Sequence, residues 1–81
     1  MKPKLTFFYN PECPKCQDLK PVIEELKQIF EITSINTYEE GMLIESLDIK
    51  WVPTFMLEDQ NGKHKFEGIK EITEFLKKVI L

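Results

Sequence analysis

The chain of 81 residues holds two cysteines, Cys13 and Cys16, separated by Pro14 and Lys15. Such a pair has two chemistries open to it, exchange of a disulfide with another molecule or ligation of a metal. Scaffolding is the poorer explanation, because secreted domains stapled by disulfides normally carry four or more cysteines at wider spacing. A closed zinc site takes four ligands. The only histidine, His64, stands far along the chain and is expected to face solvent on a strand, so a self-contained zinc site is disfavoured. A metal or iron–sulfur cluster carried through Cys13 and Cys16 across a dimer would find more ligands, and it stays open as an alternative.

Disulfide exchange needs a thiolate, and the surroundings of Cys13 are suited to making one. Leu5 to Tyr9 is a short apolar, aromatic run that reads as a buried strand. Asn10-Pro11-Glu12 breaks it, and Pro14 then suits the first turn of a helix, where a missing N–H costs nothing. Cys13 is therefore expected where a strand meets a helix, beside unsatisfied N–H groups and the positive end of the helix dipole. A thiol so placed, with the Lys15 ammonium near it, is expected to fall from ~8.5 toward ~7. Cys16, one turn further on, shares a face with Cys13, so the two sulfurs can close a disulfide with little backbone movement. A two-step reaction follows: Cys13 attacks a substrate disulfide, and Cys16 resolves the mixed disulfide.

The elements that must position this pair can be read from periodicity. Leu19, Val22, Ile23, Leu26, Ile29 and Phe30 form one helical face, opposite Asp18, Lys20, Glu24, Glu25 and Lys27. Pro21 lies inside this helix and should kink it, freeing the carbonyl of Gln17. Phe30 to Thr37 reads as a second strand. Glu39 to Leu47 reads as a short helix with Met42, Leu43 and Leu47 inward, weakened by Gly41. Thr54 to Leu57 is a third strand, and Asp59 to Gly62 a turn whose Asn-Gly supplies positive φ for a hairpin. Lys63 to Glu67 is a fourth, antiparallel strand, polar enough for a sheet edge. After Gly68, the stripe Ile69, Ile72, Phe75, Leu76, Val79 and Ile80 marks a last helix. The order β-α-β-α-β-β-α over residues 1–81 makes a single α/β domain with a four-stranded mixed sheet flanked by helices, its parallel pair joined by a right-handed crossover.

Composition narrows the function. Hydrophobic residues make up 42% and charged residues 31%, a globular balance. The net charge of −3 argues against nucleic acid as the main partner, since phosphate binding wants a basic surface. No apolar run approaches the roughly 20 residues of a membrane span, and the run after Lys4 is too short for a signal-peptide core. A cytoplasmic protein is expected.

With these residues in view, the sequence resembles the thioredoxin and glutaredoxin superfamily. Three features carry the resemblance: Cys13-Pro14-Lys15-Cys16 after the first strand, Pro21 five residues beyond Cys16, and Trp51-Val52-Pro53-Thr54-Phe55 at the start of the third strand. The element order extends it over the whole chain. The resemblance implies a thiol–disulfide oxidoreductase that reduces protein or small-molecule disulfides, with Cys13 as nucleophile and Cys16 resolving. It implies a cis peptide before Pro53, next to the cysteines, and a Val52 backbone that pairs with an extended substrate segment. It implies no organic cofactor beyond the redox-active Cys13–Cys16 disulfide. Partners would be disulfide-containing proteins and a recycling reductase or glutathione, with the chain itself a monomer. A redox-inert adaptor on the same fold is a further alternative.

The departures from the family pattern are specific. Thioredoxins carry a tryptophan before the first cysteine, where this chain has Glu12, and a buried acid six residues before that cysteine, where it has Phe7. Pro14 is the glutaredoxin form of the pair, yet Lys15 replaces the usual tyrosine. Only Gly68 stands where glutaredoxins have the Gly-Gly that helps hold glutathione. Trp51 occupies a position that is small in thioredoxins; it is read as facing substrate, with a core role as the alternative. Lys15 and Lys50 would favour acidic partners or a glutathione carboxylate, a solvated surface lysine being the commoner case for each.

Overall fold

The computed structural model describes residues 2–39 and 41–80, apart from the side chains at 43, 44 and 80. The inward positions expected for Leu43 and Ile80 lie outside the described residues. The elements run β1 (Lys4–Tyr9), α1 (Pro14–Asp18), α2 (Lys20–Leu26), β2 (Glu31–Asn36), α3 (Gly41–Ser46), β3 (Thr54–Asp59), β4 (Gly62–Glu67) and α4 (Gly68–Ile80). The sheet order is β2-β1-β3-β4, with β1 parallel to β2 and antiparallel to β3, and β4 antiparallel to β3 at the edge. This is the expected topology with one difference. The first helix is split in two, and is not a single kinked rod.

Pro21 explains the split. A proline has no N–H to give to the carbonyl four residues back. Here it occupies the first turn of α2, where none is needed. The chain reaches it through Leu19, whose N–H closes a tighter turn on the Cys16 carbonyl at 3.2 Å. The helix ends earlier than its apolar face suggested, at Leu26. The tight turn beyond it, with the Ile29 N–H on the Leu26 carbonyl at 3.0 Å, turns Ile29 outward to 47% exposure and Phe30 inward. Met42 of α3 is likewise exposed where it was expected inside.

Strand alternation sorts the core onto two faces. Leu5 and Phe7 of β1 stand opposite Leu57 and Phe55 of β3. With Cys16 and Leu19, Ile23 and Leu26 of α2, and Ile72 and Phe75 of α4, they belong to one cluster. Aromatic edges knit it: Phe55 meets Phe7 at 5.6 Å and Phe75 at 6.0 Å, both near perpendicular. Such pairs are worth ~0.5–1.5 kcal/mol beyond the area they bury. Phe8, also fully buried, points to the opposite face of the sheet together with its β3 partner Thr54. At the hairpin, Gly62 takes φ +118, which a side chain would oppose, and Asp59 Oδ1 accepts the Asn61 N–H at 2.8 Å. The central strand β1 is thereby packed on both faces and paired on both edges, and its carboxyl end delivers the chain to Cys13 at a fixed point.

Candidate active site

After Tyr9 the chain turns through Asn10, whose side-chain oxygen accepts the Glu12 N–H at 2.9 Å while its carbonyl accepts the Cys13 N–H at 3.0 Å. Gln17 reaches back to the Pro11 carbonyl at 3.0 Å. These bonds set Cys13 as the N-cap of α1, in an extended conformation (φ −86, ψ 113). Caps are usually oxygen-bearing side chains. Here a sulfur does the work: Cys13 Sγ accepts the backbone N–H of Cys16 at 3.2 Å. Negative charge on Cys13 would therefore meet a backbone donor of the first turn.

The two sulfurs are adjacent but differently housed. Both thiols are free. Cys13 is half-buried, whereas Cys16 is 1% exposed within the core cluster. Burial pushes the Cys16 thiol up to about 12, and its hydrogen bond to Cys13 adds to the rise; backbone groups at Asn10 and Cys16 oppose it. Ionisation in a low-dielectric interior is costly, so Cys16 holds its proton at neutral pH. Phe7 lies in the same cluster, and Thr54 is the buried polar residue among those described, so the interior around Cys16 is apolar.

The third strand begins beside this pair. The Val52–Pro53 peptide is cis, and Pro53 is fully buried while Val52 is half-buried against the core cluster. Three anchors hold this loop: Thr54 Oγ1 donates to the Trp51 carbonyl, the Gly68 N–H donates to the Pro53 carbonyl at 2.9 Å, and Lys65 Nζ donates to the Asp48 carbonyl at 3.0 Å. Asp48 takes a left-handed φ of 56 at the entrance to the loop. Trp51 projects into solvent at 65% exposure and is not a core residue.

An open groove of about 300 Å³ gathers several of these positions. Lys15, Trp51, Val52 and Pro53 form one side of it. Glu67, Gly68, Ile69 and Glu71, from the β4–α4 junction, form the other. Pro14 stays exposed at the helix start next to Cys13. The seven residues singled out from sequence thus fall into two contiguous groups, the dithiol with Pro14 and the groove with Lys15. The β4–α4 wall was missed. Its one sequence signal was Gly68, which adopts φ +82 to bring the strand into the helix. Nothing in the spacing announced that Glu67 and Glu71 would line one groove with Trp51. His64 lies on the exposed edge strand, 3.5 Å from Asp59, and among the described residues no group of three or more His, Cys, Asp or Glu side chains is arranged to hold a metal. No helix among those residues is long and apolar enough to cross a membrane.

The family model described as Thioredoxin matches residues 1–80. A thioredoxin-like protein of Synechocystis is 26% identical over 83 residues, which cover 96% of this chain and 79% of that protein. The chloroplastic thioredoxin Y2 of Arabidopsis thaliana is 31% identical over 84 residues, covering 96% of this chain and 50% of the relative. This chain therefore spans about half the length of that plant protein. In fold, it matches mitochondrial thioredoxin 3 from Saccharomyces cerevisiae with a TM-score of 0.79 at 18% identity, over 99% of this chain and 79% of that one. Thioredoxin 1 from Thermosipho africanus matches with 0.72 at 22% identity, over 96% and 99%.

Proposed function

Because this chain belongs to the thioredoxin family, we propose that it reduces disulfides of protein substrates through the dithiol Cys13-Pro14-Lys15-Cys16. The family supports a thiol–disulfide oxidoreductase in general. The observation that carries the finer reading is the asymmetry of the two sulfurs. Cys13 is accessible and its sulfur already accepts a backbone N–H, while Cys16 is buried, protonated and hydrogen-bonded to Cys13.

The sequence of bonds follows from that arrangement. The Cys13 thiolate attacks one sulfur of the substrate disulfide, forming a mixed disulfide and releasing the other substrate sulfur as a thiolate. Cys16 Sγ then attacks Cys13 Sγ, closing the Cys13–Cys16 disulfide and releasing the second substrate sulfur. Two electrons pass from the two cysteine sulfurs to the substrate; the Cys16 proton ends on one product sulfur and solvent protonates the other. No carboxylate is buried beside Cys16 among the described residues. The substrate thiolate that departs in the second step is therefore the nearest acceptor for the Cys16 proton. The chain's own sulfurs supply the redox chemistry without an organic cofactor, and a separate reductase in the cytoplasm returns the disulfide to the dithiol. Val52 and Pro53 shape the surface against which an extended substrate lies, with Lys15 and Trp51 on its margin.

Insulin reduction by the dithiothreitol-driven protein tests this. Cys13→Ser should abolish catalysis. Cys16→Ser should accumulate a mixed disulfide with substrate, seen as a mass increment that dithiothreitol removes. A Cys13→Ser protein with wild-type turnover would exclude the mechanism.

A further inference from the structure

The groove beside the dithiol has charges of both signs in its lining. Its α1 side has one cation, Lys15, and its β4–α4 side has two carboxylates, Glu67 and Glu71. Glu67 is only 22% exposed and takes Lys65 Nζ at 3.1 Å. That same ammonium is also held by the Asp48 carbonyl at 3.0 Å, so Lys65 is turned toward the loop and is absent from the groove lining. Glu71 sits exposed in the first turn of α4. The Gly68 N–H, a donor that an incoming carboxylate would want, is spent on the Pro53 carbonyl at 2.9 Å. The wall facing the dithiol loop therefore offers acceptors and few donors.

The same groove is lined by the chain's single tryptophan, Trp51, exposed at 65%. An exposed indole costs a protein apolar surface in water, and its face attracts cations. An arginine placed there could stack on the ring and turn its fork to a carboxylate at once, a combination that a lysine meets less well.

We propose that this groove selects disulfides carrying a basic residue, arginine above lysine, next to the reactive cysteine, with Trp51 as the stacking face and the exposed Glu71 as the paired carboxylate. The inference rests on the disulfide-exchange reading above and names its substrate class. It also sets the small anionic disulfides at a disadvantage: a ligand bearing carboxylates would meet Glu71 with the neighbouring backbone donor already used.

The test uses the full reduced chain and three peptide disulfides alike except for arginine, glutamine or glutamate beside the cysteine. Each single-turnover rate is divided by the rate of the same peptide with dithiothreitol, which removes the peptide's intrinsic reactivity. At low salt the normalised arginine rate should exceed the glutamine rate by about fivefold, the scale of one exposed ion pair plus one exposed cation–π contact. The advantage should shrink with added salt. Glu71→Lys should erase or invert the order, and Trp51→Leu should lower the arginine-to-glutamine ratio by about threefold. A serine-substituted, unreactive arginine peptide should shift Trp51 fluorescence where its glutamate counterpart does not. Equal normalised rates for the three peptides would overturn the proposal. So would a preference for glutamate, which would give the groove to Lys15. Failure to reduce any of them would remove the disulfide-exchange reading and this inference with it.

Discussion

Two crossovers leave the sheet from the same end of its strands, since β1 and β2 are parallel and Tyr9 lies level with Asn36. They treat their side chains in opposite ways. The first, through α1 and α2, buries Cys16, Leu19, Ile23, Leu26 and Phe30. The second, residues 37–53, buries Ile49 and Pro53 but leaves Tyr38 at 84%, Met42 at 87% and Trp51 at 65% exposure. The first fixes where the sulfurs are, and core packing limits how far it can change. The second is tied to its neighbours by hydrogen bonds at Thr37, Asp48, Trp51 and Pro53 and displays large side chains to solvent. On the function proposed above, reactivity would sit on the buried crossover and recognition on the exposed one, as where binding residues ride on loops set by a rigid scaffold.

The largest effect should come from the buried sulfur of the first crossover. With its thiol pushed from 9.0 up to about 12, Cys16 in the folded, reduced protein should alkylate on the order of 10³-fold more slowly than in the unfolded chain at neutral pH, from the lost thiolate fraction alone. Iodoacetamide labelling read by mass spectrometry should give a singly modified protein carrying the label on Cys13. Comparable labelling of the two cysteines in the folded state would break the comparison at its centre.

The same shift fixes a pH dependence of stability. Below about pH 9 the folded and unfolded chains both hold the Cys16 proton, so this group contributes no slope. From there toward about 12 the unfolded chain releases the proton while the folded chain keeps it. The unfolded state is then favoured progressively, and stability falls as pH rises. Denaturant midpoints of the reduced protein should decline through this window more steeply than those of Cys16→Ala. Parallel pH profiles for the two proteins would mean that Cys16 is not desolvated.

The crossovers can also be compared by truncating one aliphatic side chain in each. Ile23, 5% exposed in the core cluster, should cost about 2–5 kcal/mol on mutation to alanine, the range for deleting a buried aliphatic chain. Met42→Ala, at 87% exposure, should stay within about 0.5 kcal/mol of wild type. Urea unfolding measures both. A large loss at Met42 would show that α3 is packed as firmly as α2.

This contrast also explains what could be read from the sequence. The apolar run Leu5–Tyr9 and the stripe Ile72–Phe75 identified buried elements because each has a partner face in the same domain. The strand–helix junction at Cys13 and the turn at Gly62 were legible because Pro14 and Asn61-Gly62 act locally. Met42 and Ile29 were misplaced for a common reason: a helical period was extended into segments where the helix is short or already over, and hydrophobicity alone carries no information on where it stops. The acidic wall at Glu67 and Glu71 was illegible because the antiparallel pairing of β3 and β4 brings it to Trp51, and that is a long-range fact.

A small effect of the opposite sign is expected at Asp48, at the entrance to the last loop of the second crossover. Its φ of 56 places Cβ against the following carbonyl, a conformation that glycine adopts without that penalty and aspartate tolerates only in part. Its carbonyl, which Lys65 Nζ engages, belongs to the backbone and survives substitution. Asp48→Gly should therefore keep the loop anchored and raise stability by up to about 1 kcal/mol, the relief being offset in part by the greater freedom of glycine in the unfolded chain. Proline at this position could not reach the required φ and should destabilise. A destabilised Asp48→Gly would mean that the aspartate side chain itself holds the loop. The exposed crossover would then owe its shape to a local polar contact and not to the anchors from β3, β4 and α4.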